Sequence, residues 1–361
     1  MRLLLRPAAA LTLLLTLAAP AAEPRVTKEA LLKNIAAQVI VPAHADLAAR
    51  TRELAAATDA LAANATAETL TAARQSCAAA LLAWKRVSCI QHGPVEELDL
   101  LNKFGFWPSR PNSIQGALDA ERAMDDAFIA EQGVTVVSLS ALEYLLFSSG
   151  SPSSIAARMD VAESLKTFTG EAGARRRALT RAVARQLAAW AAQLDRAWSP
   201  TGGNHAAKWT AAGQASVGLL VNNFVAVLER SAVVRIDSVL ELAGAPQDVH
   251  WFEGAPSGHT VSNLVAVVTT VRRLYAGGDG AGFDDQLRQM GSPLPARLDA
   301  QFDRTLAALN AIGGPMEVAL RQNKPALEAA RDQCRALEVL LKVDLVSALG
   351  VTLTFTSGDG D

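Results

Sequence analysis

An all-helical fold is what this sequence predicts, and three observations carry the prediction. Half of the residues are hydrophobic but only 5% are aromatic, with two tyrosines in 361 residues, which favours helix over strand. Apolar positions recur at helical spacing along most of the chain, giving about eight to ten helices and no hydrophobic pair of alternating strands. Runs of Gly, Pro and Ser separate these stretches, most sharply at Ser199-Pro200-Thr201-Gly202-Gly203-Asn204. That break divides the chain into residues 23–200 and 201–361, and the length fits two domains.

Residues 1–22 read as a secretory signal peptide. Arg2 and Arg6 precede an apolar run at 8–17, and Ala19-Pro20-Ala21-Ala22 supplies small residues for cleavage near Ala21-Ala22. The run is shorter than the ~20 residues of a membrane span. The expectation is an exported protein, periplasmic or associated with the cell envelope, with no transmembrane span in the mature chain. Export permits disulfides. Cys77 and Cys89, if on one helix, lie ~18 Å apart along its axis, so a bridge is expected between Cys334 and one of them. The alternative is three small buried residues. A net charge of -2 with interspersed signs lacks the basic field of a nucleic-acid binder.

The first helix covers residues 26–64, with Leu31, Leu32, Ile35, Val39, Ile40, Leu47, Leu54 and Leu61 on its apolar face. Pro42 kinks it or caps a new segment, and His44 reads as a core or surface residue rather than a ligand. The second helix, 67–88, ends in Trp84-Lys85-Arg86 before periodicity stops at His92-Gly93-Pro94. The irregular stretch 91–112 is long for a connector and is expected to cover the end of a bundle, with Phe106 and Trp107 as packing anchors. A third helix is expected at 113–132.

The stretch from Gly133 to Phe147 follows, an extended lead-in running into a helix with Leu139, Leu142, Leu145 and Leu146 on its apolar face. Glu143 is its single ionised side chain. A buried carboxylate without a partner costs several kcal/mol, so Glu143 needs a cation, a metal, hydrogen-bond donors or water. Ser140, three residues earlier, shares its face, and one reading of the pair is a capping box with Ser140 as the N-cap. Arg86 is a candidate partner because a guanidinium holds a carboxylate through two parallel hydrogen bonds; the alternative is a surface arginine lying past Trp84.

Helices at 153–169 and 175–198 come next, Arg175-Arg176-Arg177 reading as a solvated helix start. After the break come helices at 208–242, 257–275, 282–290, 294–312 and 316–349. A loop at 245–258 carries His250, Trp251 and Glu253, and a frayed tail ends in Asp359-Gly360-Asp361.

The run from Ser138 to Phe147 resembles the signature of the imelysin family, a helix bearing Gly-x-His-x-x-Glu followed by an aromatic and apolar run. Glu143 matches the motif's Glu, while Ser140 stands at its His and Ser138 at its Gly. Three further places resemble the family in the same order: Trp84 to Arg86 with the later Trp107-Pro108, then Gly258-His259-Thr260 with Leu274-Tyr275, then the closing Leu349-Gly350-Val351. The resemblance implies two antiparallel helical bundles with a cleft between them, an ancient duplication being one reading. It places Glu143, Ser140, Arg86, Trp84 and His259 at the ligand site, with Glu143 and His259 as ligands of a metal ion, iron or another divalent cation. Ser140 in place of the motif's His leaves the metal pair incomplete.

The family is named for peptidase activity, while many members look like iron-regulated periplasmic or surface proteins. This chain contains neither His-Glu-x-x-His nor Gly-x-Ser-x-Gly. The expected function is therefore an exported binding protein of iron or metal acquisition, taking a metal or chelated metal and working with a membrane transport component. A metallopeptidase using Glu143 with His259 or His205 is the alternative, and a structural module without a small ligand is the third reading.

Overall fold

The computed structural model describes residues 25–148, 160–241 and 253–353. The expected signal peptide, His250, Trp251 and the Asp359-Gly360-Asp361 end lie outside the described residues. Among the described residues there is no strand, as the sequence predicts.

Thr27 caps helix α1 (Lys28–Ile35), its hydroxyl accepting the Ala30 N–H at 3.2 Å. A π-helical turn, Ala36–Ile40, joins α1 to α2 (Val41–Ala63) without a break. Pro42 accounts for the turn: it has no N–H for the Gln38 carbonyl, and the register slips by one residue just ahead of it. The three residues 64–66 then reverse the chain into α3 (Ala67–Val87), opened by a capping box between Thr66 and Thr69.

The connector expected to be irregular contains α4 (Pro94–Glu97) and α5 (Leu100–Gly105). The single helix expected at 113–132 is two, α6 (Pro111–Asp119) and α7 (Asp126–Glu131), because Asp125 accepts the Phe128 N–H at 2.9 Å and starts a new helix. Then come α8 (Leu139–Phe147), α9 (Val161–Lys166) and α10 (Gly170–Trp198). Helix α2 packs along both α3 and α10, and α8 lies against α3 and α10. Their buried leucines, among them Leu47, Leu54, Leu70, Leu81, Leu187 and Leu194, each contribute roughly 1.5–3 kcal/mol of burial.

The second half contains α11 (His205–Ala211), α12 (Gln214–Leu228), a π-turn Glu229–Val234, α13 (Arg235–Glu241), α14 (Thr260–Ala276), α15 (Phe283–Gln289) and α16 (Leu294–Ala311). It closes with α17 (Met316–Gln322), α18 (Lys324–Val339), a π-turn Leu340–Leu345 and α19 (Val346–Ala348). Helix α16 packs between α14 and α18, while α14 also packs on α3 and joins the halves. The run Gln214–Glu241 is long and apolar enough to cross a bilayer by length and composition. Its Leu220, Val221, Phe224, Val227 and Ile236 are instead fully buried in the second half.

Helix α1 belongs to the second half although it begins the first. It packs on α11 and α12, and Asn34 Nδ2 donates to the carbonyls of Gly277 at 2.7 Å and Ala281 at 2.9 Å. Gly277 caps α14 in the left-handed region, φ +74, which a side chain would strain. Buried apolar residues from both halves form one connected core. The expected disulfide is not formed: Cys77, Cys89 and Cys334 are free, buried thiols, Cys77 inside α3, Cys89 in the turn that follows it and Cys334 inside α18.

His44 is not an isolated core histidine. Trp198, the fully buried last residue of α10, is stacked by His44 at 5.2 Å and met edge-on by His205 at 4.7 Å and His92 at 6.3 Å. The Nδ1 atoms of His44 and His92 lie 2.7 and 2.6 Å from Ile40 O and Asn223 Oδ1. Their Nε2 atoms are buried with no hydrogen-bond partner among the described residues. Burial pushes both imidazoles down to about 4. The folded state therefore binds fewer protons than the unfolded chain, whose histidines titrate near ~6.5. Their neutral form supports the fold fully above that pH, and stability falls as pH drops from there towards 4. Thermal unfolding is expected to show this decline, and a His44→Gln/His92→Gln variant should show a smaller one; an equal decline in both proteins would remove the histidines as its cause.

Candidate functional site

Ser138, not Ser140, caps α8, its hydroxyl accepting the Ala141 N–H at 3.3 Å. The lead-in is a turn rather than an extended segment, since Val136 and Val137 donate to Gly133 O at 3.0 and 3.1 Å. With the helix starting at Leu139, Ser140 is already in its first turn. Its Oγ lies 3.1 Å from Ser138 Oγ, and the expected capping box with Glu143 is not made.

The other end of α8 is held by arginines. Arg176 Nε donates to Leu145 O at 2.9 Å, and its Nη2 reaches Tyr144 O and Ser148 O, each at 3.2 Å. Arg74 Nε donates to Leu146 O at 2.9 Å. These bonds satisfy the carbonyls that a helix end leaves open. The Arg175-Arg176-Arg177 run is thus not a solvated start: Arg176 is buried, Arg175 donates to carbonyls at Leu118, Ala120 and Arg122, and Arg177 to Phe168 O.

So anchored, α8 presents Glu143 to the second half. The buried carboxylate Oε1 accepts the Ser257 N–H at 3.2 Å and the Ser257 hydroxyl. Burial pushes its pKa up to about 7, against the lowering by the two Ser257 bonds, with the nearby Glu253 charge adding to the rise. Gly254 and Gly258, at φ +78 and +75, bend the segment that carries Ser257.

The arginine expected beside Glu143 is elsewhere. Arg86 pairs with Asp46 at 2.7 Å on an exposed face of α3. Neighbouring residues on a helix point about 100° apart, and it is Lys85 that turns inward, pairing with Glu253. Arg235 Nε lies 3.2 Å from the other Glu253 oxygen, and its guanidinium sits 4.0 Å over the Trp107 ring. Burial raises the pKa of Glu253, but Lys85 and Arg235 outweigh it and hold the carboxylate at about 2.

Trp84 is buried and stacks on Phe104 at 4.9 Å. With Phe106, Trp107 and Leu139 it walls a space of about 20 Å³ that Lys85, Ser140, Glu143 and Glu253 also line, enough for one water-sized occupant. The structure therefore brings together Trp84, Ser140 and Glu143 of the expected residues. His259, the N-cap of α14, is two residues from Ser257 but does not line this space, and His205 lies at Trp198. Sequence reasoning missed Lys85, Glu253 as a charge partner, Ser257 and Arg235.

Among the described residues no group of three or more His, Cys, Asp or Glu side chains is arranged to hold a metal. With Glu253 neutralised by two cations, Glu143 and the hydroxyls of Ser140 and Ser257 remain. That is short of the six to eight oxygens a hard cation takes and lacks the nitrogen and sulfur donors of zinc. The residues present do not fit a metal centre built from protein alone.

Fold and site define an all-helical protein with a carboxylate buried at the contact between its halves. The chain belongs to the imelysin family, whose profile, described as imelysin or peptidase M75, matches residues 40–343. It is similar in structure to an imelysin-like protein from Psychrobacter arcticum 273-4 (TM-score 0.69, 17% identity, 91% of this chain and 97% of that one). It is similar also to a protein described as an iron-regulated protein A precursor from Parabacteroides distasonis ATCC 8503 (TM-score 0.72, 17% identity, 91% and 97%). No curated protein matches the chain.

Proposed function

We propose that this protein is an exported binding protein of iron or metal acquisition that takes its metal in chelated form at the seam around Glu143. One observation carries the reading: the Glu143 carboxylate, buried and pushed up to about 7, is held only by Ser257 among the described residues. A ligand group that donates to Glu143 replaces Ser257 and thereby acts on both halves at once. The chelator supplies the donors that the protein lacks. Membership of the imelysin family and the description of a structural relative as an iron-regulated precursor support the reading. A membrane transport component is the proposed recipient of the ligand, with Trp84 and Ser140 lining the site. A peptidase reading has less support, because the chain has neither His-Glu-x-x-His nor Gly-x-Ser-x-Gly and, among the described residues, no group of three or more His, Cys, Asp or Glu is arranged to hold a catalytic metal. A chelate, like a peptide, reaches Glu143 through the space of about 20 Å³ only as Ser257 moves aside.

The test is calorimetric titration with ferrous ion, ferric ion and ferric citrate of the native protein, Ser140→His and Glu143→Gln. Binding of ferric citrate by the native protein, lost in Glu143→Gln, is the expected result. Absence of binding of any of the three, or binding untouched by Glu143→Gln, removes Glu143 from a ligand role; binding of bare ions gained only in Ser140→His would mean that the substitution at the family's His position removed an ion site. Loss of fold is separable by sign. The raised pKa means that the folded state binds more protons than the unfolded chain, so stability is present at low pH and falls as pH rises through about 7. Glu143→Gln should therefore be more stable than the native protein at pH 8, by up to about 3 kcal/mol, with unchanged helical content.

A further inference from the structure

Helix α3 separates two spaces. Leu81, Trp84 and Lys85 face the small space at Glu143, whereas Leu82 and Arg86 face a groove of about 760 Å³ on another side, and the two spaces share no residue. The groove runs between α3, the first π-turn with the start of α2, and α14, with Asn310 of α16 also on its wall. Its volume lies within the range of small-molecule clefts.

The lining is chemically one-sided. Val39, Leu82, Val261 and Val265 give an apolar floor, while Arg86, Arg273, Gln38, Asn310 and Thr269 bring hydrogen-bond donors to the walls. Asp46 is the groove's single carboxylate, and it is already shared between Arg86 at 2.7 Å and Arg50 at 3.2 Å. Arg273, in the last turn of α14, is exposed and makes no ion pair among the described residues. Two guanidinium groups against one occupied carboxylate leave a positive balance, and a guanidinium is matched in shape to a carboxylate.

We propose that this groove is a second binding site, for an organic carboxylate with an aliphatic body, its chain on the valine and leucine floor and its carboxylate on Arg273. Charge complementarity and the apolar floor together select this class over neutral lipids, which leave Arg273 unanswered, and over small polyanions, which leave the floor unused. The site is independent of Glu143.

The experiment is calorimetric titration of the purified full chain with decanoate and, in parallel, with decanol. Decanoate should bind the native protein more tightly than decanol. Arg273→Gln, a change at an exposed position, should weaken decanoate at least tenfold while leaving decanol unchanged. Thr269→Trp, also at an exposed position, should narrow the groove and weaken binding of both. Glu143→Gln should leave decanoate binding as it is, so failure at one site does not count as failure at the other. No decanoate binding, equal binding of decanol, or decanoate binding unaltered by both groove variants in proteins of native circular dichroism would overturn the proposal.

Discussion

Glu253→Gln is expected to destabilise the protein by about 3–5 kcal/mol, the usual loss when one member of a buried ion pair is removed and the other stays behind. The side chain of Lys85 is only 7% exposed, so its ammonium has no ready access to water once the carboxylate is gone. Arg235 loses its partner too, though its cation–π contact with Trp107 remains. Chemical denaturation of the variant measures the loss. Lys85→Met/Glu253→Leu should recover most of it, because replacing both charges by apolar groups removes the desolvation cost along with the attraction. If the double variant is as unstable as Glu253→Gln, packing rather than charge sets the loss.

Arg176→Met is expected to cost about 3 kcal/mol or more. It strips the guanidinium donors from the carbonyls of Leu145 and Ser148, while Tyr144 O keeps the Ser148 N–H and hydroxyl, and each buried acceptor left unsatisfied costs about 1–3 kcal/mol. It also removes a guanidinium lying 5.3 Å from the Phe168 ring centroid and 5.8 Å from that of Tyr144. The damage should be local to the end of α8, so amide hydrogen exchange should accelerate at 144–148 before the rest of the first half. Uniform acceleration would instead mean that α8 and the bundle open as one unit.

The helices were legible because their apolar faces repeat over many turns, as at Leu47, Leu54 and Leu61. Their ends were not, because a cap is decided by one side chain. Ser138 and Ser140 are equally good caps by residue type, and only the fold shows that Ser138 is used. The site was half legible. Glu143 stood out as a lone charge in an apolar run, but its partner Ser257 lies 114 residues away in a segment without periodicity. Lys85 and Arg86 differ by one step around a helix, beyond what periodicity resolves near a helix end. A signal for Arg176 was present: it precedes Leu179 by three residues and Thr180 by four, and both are buried, so it lies on the inward face of α10.

The seating of α1 has a consequence in time. Val26 bonds Gln289 and Asn34 bonds Gly277, partners 263 and 243 residues further along the chain. At a synthesis rate of about 5–20 residues per second, such a separation is roughly 12–50 s. Leu31, Leu32 and Ile35 are made well before the segment around Gly277 on which Asn34 closes. The residues 41–87 can pair as antiparallel neighbours at once, while α1 waits beyond the π-turn with its apolar face uncovered. Helix α1 is thus made before the elements that complete it, and a chain that stops short of the end of α14 has nowhere to fasten it.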